Sequence, residues 1–150
     1  MAEGAERHLS LALRYLEEGR ALVDRDPVQA SEKLYKAAEE AVKALALALD
    51  LEHAKVAARE GGWWTRLLNR AAEAIAEKLD LEELALWWKA AYYLHVEGFH
   101  EARLDSEDVK RNSRYVEAIV RAAEKVLAPS RRAGQQSEAR VTGEADGSRS

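Results

Sequence analysis

Apolar residues recur along the chain at spacings of three and four, the period of an amphipathic helix, and no segment alternates with the period of two that marks a half-buried strand. A first stripe, over about 8–24, joins Leu9, Leu13, Leu16 and Val23, with Ala12 and Leu22 beside it. A second begins at Asp26, where an N-cap precedes Pro27 at the first helical position and Gln29 stands ready to complete a capping box. It runs through Leu34, Ala38, Ala41, Val42, Leu45 and Leu49, and its outer face offers Glu32/Lys36 and Glu39/Lys43 as i,i+4 ion pairs. The alanines between 41 and 48 let a neighbouring backbone come close, so this is the expected central helix. The charged connection 50–62 has room for a short helix over 53–60 and closes on Gly61-Gly62.

A third stripe joins Trp64, Leu67, Leu68, Ala71, Ile75 and Leu79. A fourth opens at Asp80 with Glu83 as a second capping box, carries Leu81, Leu84, Ala85, Trp88, Ala91, Tyr92, His95 and Phe99, and loosens at Gly98. Asp105 or Ser106 caps a fifth, with Val109, Val116, Ile119, Val120, Ala123, Val126 and Leu127. The pattern predicts an all-α, antiparallel bundle of about five helices over residues 1–128. From Pro129 the chain is polar and aperiodic, and residues 129–150 are expected to form a disordered tail.

With 150 residues, of which 47% are hydrophobic, the chain can bury one core and is short for two. The net charge of −4 argues against bulk coating of nucleic acid, so any RNA contact must be focal. With no cysteine there is no disulfide, thiolate zinc site or cysteine nucleophile. No stretch approaches the roughly 18 apolar residues of a membrane span, and a cytoplasmic location is expected. Glutamate outnumbers aspartate and only two asparagines occur, Asn69 and Asn112, a bias that accompanies ion-pair networks in thermophilic proteins.

Candidate chemistry concentrates between Lys89 and Glu101, where ionisable and aromatic groups gather at a helix end. His95 lies in register with the apolar stripe, where an imidazole needs either a partner in the core or an opening to line. The position admits both. Glu97-Gly-Phe-His100 has the Glu-x-x-His spacing of carboxylate metal bundles, but those use it twice with further glutamates. On a continuous α-helix His95 and His100 stand about 140° apart, so they share an ion only if the helix breaks at Gly98, and no metal is expected. One member of each pair Trp63-Trp64 and Trp87-Trp88 should be buried, Trp64 and Trp88 by the stripes. Trp63 and Trp87 then fall nearer a surface or an interface. There is no Walker loop, no G-x-G-x-x-G, no G-x-S-x-G and no H-E-x-x-H.

Three segments resemble the archaeal PaREP family, itself similar to a branch of the HEPN helical-bundle superfamily. They are Glu32-Lys-Leu-Tyr-Lys-Ala-Ala-Glu-Glu-Ala-Val-Lys-Ala44, the Gly62-Trp63 turn and Leu94-His-Val-Glu-Gly-Phe-His-Glu101, within a likeness that covers about residues 6–127. The resemblance implies a homodimer with a polar pocket at the end of the fourth helix that binds nucleotide or RNA phosphate. Active members of that superfamily are metal-independent ribonucleases, with an arginine and a histidine separated by four to six residues at a cleft between two bundles. By this likeness His95 is the catalytic acid/base, Lys89 stands at the arginine's place as the phosphate contact, and Glu97, His100 and Glu101 support them. No cofactor is implied. Lysine lacks the bidentate fork, so phosphate binding can persist while cleavage falls. The alternative implied by other relatives is a non-catalytic dimeric module that holds a nucleotidyltransferase-type partner.

Overall fold

Helix α2 (Pro27–Ala48) touches every other helical element, as its alanines predict. The structure, a computed structural model, describes the backbone of residues 2–147 and the side chains of residues 4–129. Around α2 lie α1 (Ala2–Leu22), α3 (Glu52–Glu60), α4 (Thr65–Lys78), α5 (Glu83–Tyr93) with a π-helical turn (Leu94–His100) continuing it, and α6 (Ser106–Gly147). No strand occurs among the described residues, and no helix among them is long and apolar enough to cross a membrane. The one core contains Leu9, Leu34, Leu45, Ile75, Leu84, Leu94, Ile119 and Val120, all fully buried. Each such leucine or isoleucine contributes about 1.5–3 kcal/mol of burial.

Small residues set how closely α2 is approached. Ala30, Ala37, Ala38, Ala41, Ala44 and Ala46 are sealed from solvent. On one side α1 comes so near at Gly19 that an added Cβ would lie 2.8 Å from Leu34 Cγ. On the other, the π turn crosses the start of α2 at Gly98, where an added Cβ would fall 2.6 Å from Ser31 Cβ and closer still to its Oγ. Ser31 is itself buried and donates to the Pro27 carbonyl at 2.8 Å, so its hydroxyl is satisfied within the helix.

The helix ends carry the main corrections to the sequence reading. Asp26 Oδ1 accepts from the Gln29 backbone N–H at 3.1 Å, but the return half of the capping box is absent because the Asp26 N–H already donates to the Leu22 carbonyl at 2.7 Å. Asp80 does not cap α5. It sits in the left-handed region with φ 53°, and the next N–H, of Leu81, reaches back to the Ala76 carbonyl at 2.8 Å, closing α4 in a Schellman-type end. Leu49-Asp50-Leu51 closes α2 in the same way, with Asp50 at φ 53° and Leu51 N–H on Ala46 at 3.0 Å. Asp105 does cap α6, reciprocally with Asp108: Asp108 N–H to Asp105 Oδ1 is 2.9 Å and Asp105 N–H to Asp108 Oδ2 is 3.2 Å.

The tryptophan assignment is half right. Trp88 is buried, yet Trp64 is 45% exposed while Trp63 packs on the core, because α4 starts only at Thr65 and the extended Trp64 falls outside its stripe. Trp87 also lies against the core. The backbone of α6 continues past Pro129 to Gly147, and Leu127 is the last buried residue among its described side chains. The side chains of 130–150, where the disordered tail is expected, lie outside the described residues.

Ion pairs tie α1 to its neighbours: His8 to Glu40, Lys33 to Glu18 at 2.9 Å and Arg20 to Glu117. Burial works to raise the Glu40 carboxyl, but the hydrogen bond with His8 and the charge of Lys43 outweigh it and hold the pKa below its ordinary 4.5. This stabilisation is present above pH 4.5 and is lost as pH falls through the lowered folded value. Acid unfolding followed by circular dichroism should therefore be less steep in His8→Ala below that pH. Gly98→Ala should lower the unfolding free energy by about 1–3 kcal/mol in urea, and Ser31→Gly added to it should recover much of that loss.

Candidate functional site

The π turn brings together two side chains that an α-helix would hold apart. Its bonds run over longer steps than i→i+4, as in the Glu101 N–H to Val96 carbonyl bond at 2.9 Å, so residues five apart come to lie over one another. His95 and His100 meet through their Nε2 atoms at 3.1 Å, with ring planes 79° apart. The helix does not break at Gly98; it widens.

His95 is fixed from below. Its ring stacks on Tyr35 of α2 with centroids 4.1 Å apart and planes inclined by 22°, and Tyr92 and Phe99 flank it at 5.8 and 6.4 Å. Tyr35 in turn meets the buried Trp88 at 5.6 Å. Burial first, then the charges of Glu39, Tyr92 and Glu32, push the Tyr35 hydroxyl well above its ordinary 10.0, so it remains a neutral platform. The Glu32 carboxylate lies 3.3 Å from His95 Nδ1. A carboxylate only accepts, so Nδ1 carries a proton and donates it to Glu32, while Nε2 faces His100. The His95 side chain is 23% exposed and that of Glu32 14%, while His100 is at the surface. His95 is thus neither sealed in the core nor free in solvent.

The other expected site residues divide into two groups. Glu97 and Glu101 each approach Arg103 at 3.5 Å, forming an ion-pair cluster of their own. Lys89, six residues before His95, lies about 120° from it around the helix. It lines a cavity of about 250 Å³ between α4 and α5 with Asn69, Glu73, Trp88 and Tyr92, where the Trp88 indole donates to Asn69 Oδ1 at 2.7 Å. Tyr92 is the shared wall, since it lines this cavity and also touches His95.

Sequence reading missed Glu32 and Tyr35. Glu32 is expected in an outer-face pair with Lys36, but it turns to His95, whereas the Glu39–Lys43 pair forms as expected at 2.8 Å. The available signal was a second stripe on α2, Ser31, Tyr35, Ala38 and Val42, all buried. It marks a face for another element, and Glu32 stands at its edge.

A family model described as the archaeal PaREP1/PaREP8 family matches residues 7–120. Among solved structures, the crystal structure of a Sulfolobus solfataricus protein, structural-genomics target SsR10, is 37% identical with a TM-score of 0.70, and the match covers 78% of this chain and 96% of that one. A solution structure of target SsR10 is 38% identical with a TM-score of 0.68, covering 78% and 91%. No curated protein matches.

The two histidines should separate in thermal or urea unfolding. His95→Ala loses the stack on Tyr35 and should cost about 0.5–1.5 kcal/mol beyond the lost area, while His100→Ala, at the surface, should stay within about 0.5 kcal/mol of the parent.

Proposed function

We propose, from the premise that the chain belongs to the archaeal PaREP1/PaREP8 family, that it binds nucleotide or RNA phosphate beside the π turn and moves protons there without a metal. The row Glu32, His95, His100 carries this reading. A carboxylate that fixes the tautomer of a half-exposed imidazole leaves its outer nitrogen ready to accept a proton, and His100 is a second imidazole within reach of the same group. In cleavage of an RNA strand, one nitrogen would take the proton of a ribose 2′-hydroxyl as its oxygen bonds to phosphorus. The bond to the 5′ oxygen would break, and that oxygen would take a proton from the other imidazole. The resemblance to HEPN bundles, with a basic residue before this histidine, supports the same chemistry. Lys89 is assigned the phosphate contact from the neighbouring cavity, as a point charge without arginine's fork.

A second reading, a non-catalytic dimeric module that holds a nucleotidyltransferase-type partner, draws on a different observation. Leu86 and Tyr93, seven residues apart on one face of α5, are 61% and 46% exposed. Such an apolar face suits a second copy of the chain or a protein partner.

Binding of a fluorescent oligoribonucleotide and its cleavage, both measured in EDTA, test the first reading. Binding should survive the chelator, weaken in Lys89→Ala and disappear in His95→Ala while the helical circular dichroism is kept. Unchanged RNA binding in His95→Ala refutes a phosphate site at this histidine. Loss of cleavage in EDTA alone refutes metal independence.

A further inference from the structure

The geometry points to a site for one borderline divalent cation, of the Zn²⁺ or Ni²⁺ class, held by His95 Nε2 and His100 Nε2. Imidazole nitrogens sit about 2.0–2.1 Å from zinc, so two that bind the same ion at angles between square and tetrahedral lie about 2.9–3.4 Å apart. The two Nε2 atoms here are 3.1 Å apart. Their separation is set by the π turn rather than by the ion, which makes the pair preorganised.

Two further features favour an ion. Glu32 engages His95 Nδ1, so in the neutral ring the lone pair lies on Nε2, the atom that faces His100 Nε2, where an ion would take the place of the contact between the two rings, and a carboxylate on the far nitrogen is the usual outer partner of a metal-bound histidine. The stack on Tyr35 and the flanking Tyr92 and Phe99 hold that lone pair in one direction against an apolar wall. The donor set is nitrogen, which suits zinc, nickel or copper and not magnesium or calcium. Among the described residues no group of three or more His, Asp or Glu side chains has metal-binding spacing. The chain therefore supplies two ligands and leaves the other positions to water or an added ligand, an open and exchangeable site.

The inference does not rest on the RNA reading. A bound ion would occupy the same lone pair that proton transfer uses, so occupancy and that chemistry exclude one another, and each has its own test. Calorimetric titration of the metal-stripped full chain with ZnCl₂, without RNA, should give one saturable site per chain. That site should vanish in His100→Ala, whose surface position leaves the fold intact, and should weaken about 10–100-fold in Glu32→Gln. It should persist in His8→Ala and His53→Ala and be indifferent to excess Mg²⁺. Absence of saturable Zn²⁺ binding overturns the inference, as does binding that survives in His100→Ala. Neither result bears on RNA binding in EDTA.

Discussion

The contact between Gly98 and Ser31 is the constraint from which the functional end of the molecule follows. Ser31 lies one turn inside α2, sealed from solvent, and Gly98 lies in the middle of the π turn, also buried. With no Cβ on Gly98 the two backbones come within the distance that any other residue would occupy. That approach seats the turn on the first half of α2, which is where Glu32 and Tyr35 are carried. Three residues before Gly98, His95 then has no choice of neighbours: an aromatic floor, a carboxylate at one ring nitrogen and His100 at the other. A bulkier contact at this crossing would lift the turn and separate the imidazole from both partners.

The site is supported by rigid elements rather than by loops. Trp88, Tyr35 and His95 form a continuous aromatic series from the core to the surface. Its inner end is fixed by the bond from the Trp88 indole to Asn69 of α4. A half-buried imidazole and a carboxylate at 14% exposure would each carry a desolvation cost alone, and meeting each other offsets part of it. The same contact fixes the tautomer. Stability and orientation are thus served by one hydrogen bond, while His100 meets the ring from the surface side.

Much of the fold could be read from the chain. The stripes on the helices, the central place of the alanine-rich helix, the short helix over 53–60 and the cap at Asp105 all follow from period and end chemistry, and the structure has them. The failures have physical causes. Leu-Asp-Leu occurs twice at a helix end, and in both places aspartate takes the left-handed conformation usually given to glycine; at Asp80 this mimics an N-cap in sequence. Trp64 continues the stripe of α4 by spacing but precedes its first turn. For the candidate site, His95 and His100 could be picked out as residues, but their meeting could not, because it depends on a local change of helical pitch. Glu32 was hidden by the opposite fault: an i,i+4 lysine gave it a sufficient local partner, and only tertiary contact shows that it has a better one.

A π turn is rare because it opens the regular hydrogen-bond ladder, and it persists where the surroundings hold it. Here the surroundings are identifiable: Leu94 anchored in the core, Gly98 beneath Ser31, and the Arg103 N–H turned back to the Glu97 carbonyl at 2.8 Å. Ordinary α-helical continuation through 94–100 would rotate His100 about 140° from His95, and would change the register in which Gly98 meets α2. The widened turn is therefore both the docking device of the helix and the cause of the histidine pairing. Lys89 lies upstream of it, where the helix is still regular, and so keeps the orientation that α-helical spacing gives it, toward α4 rather than toward the imidazoles. The candidate site begins where the pitch changes, and its two nitrogens face one another because of that change.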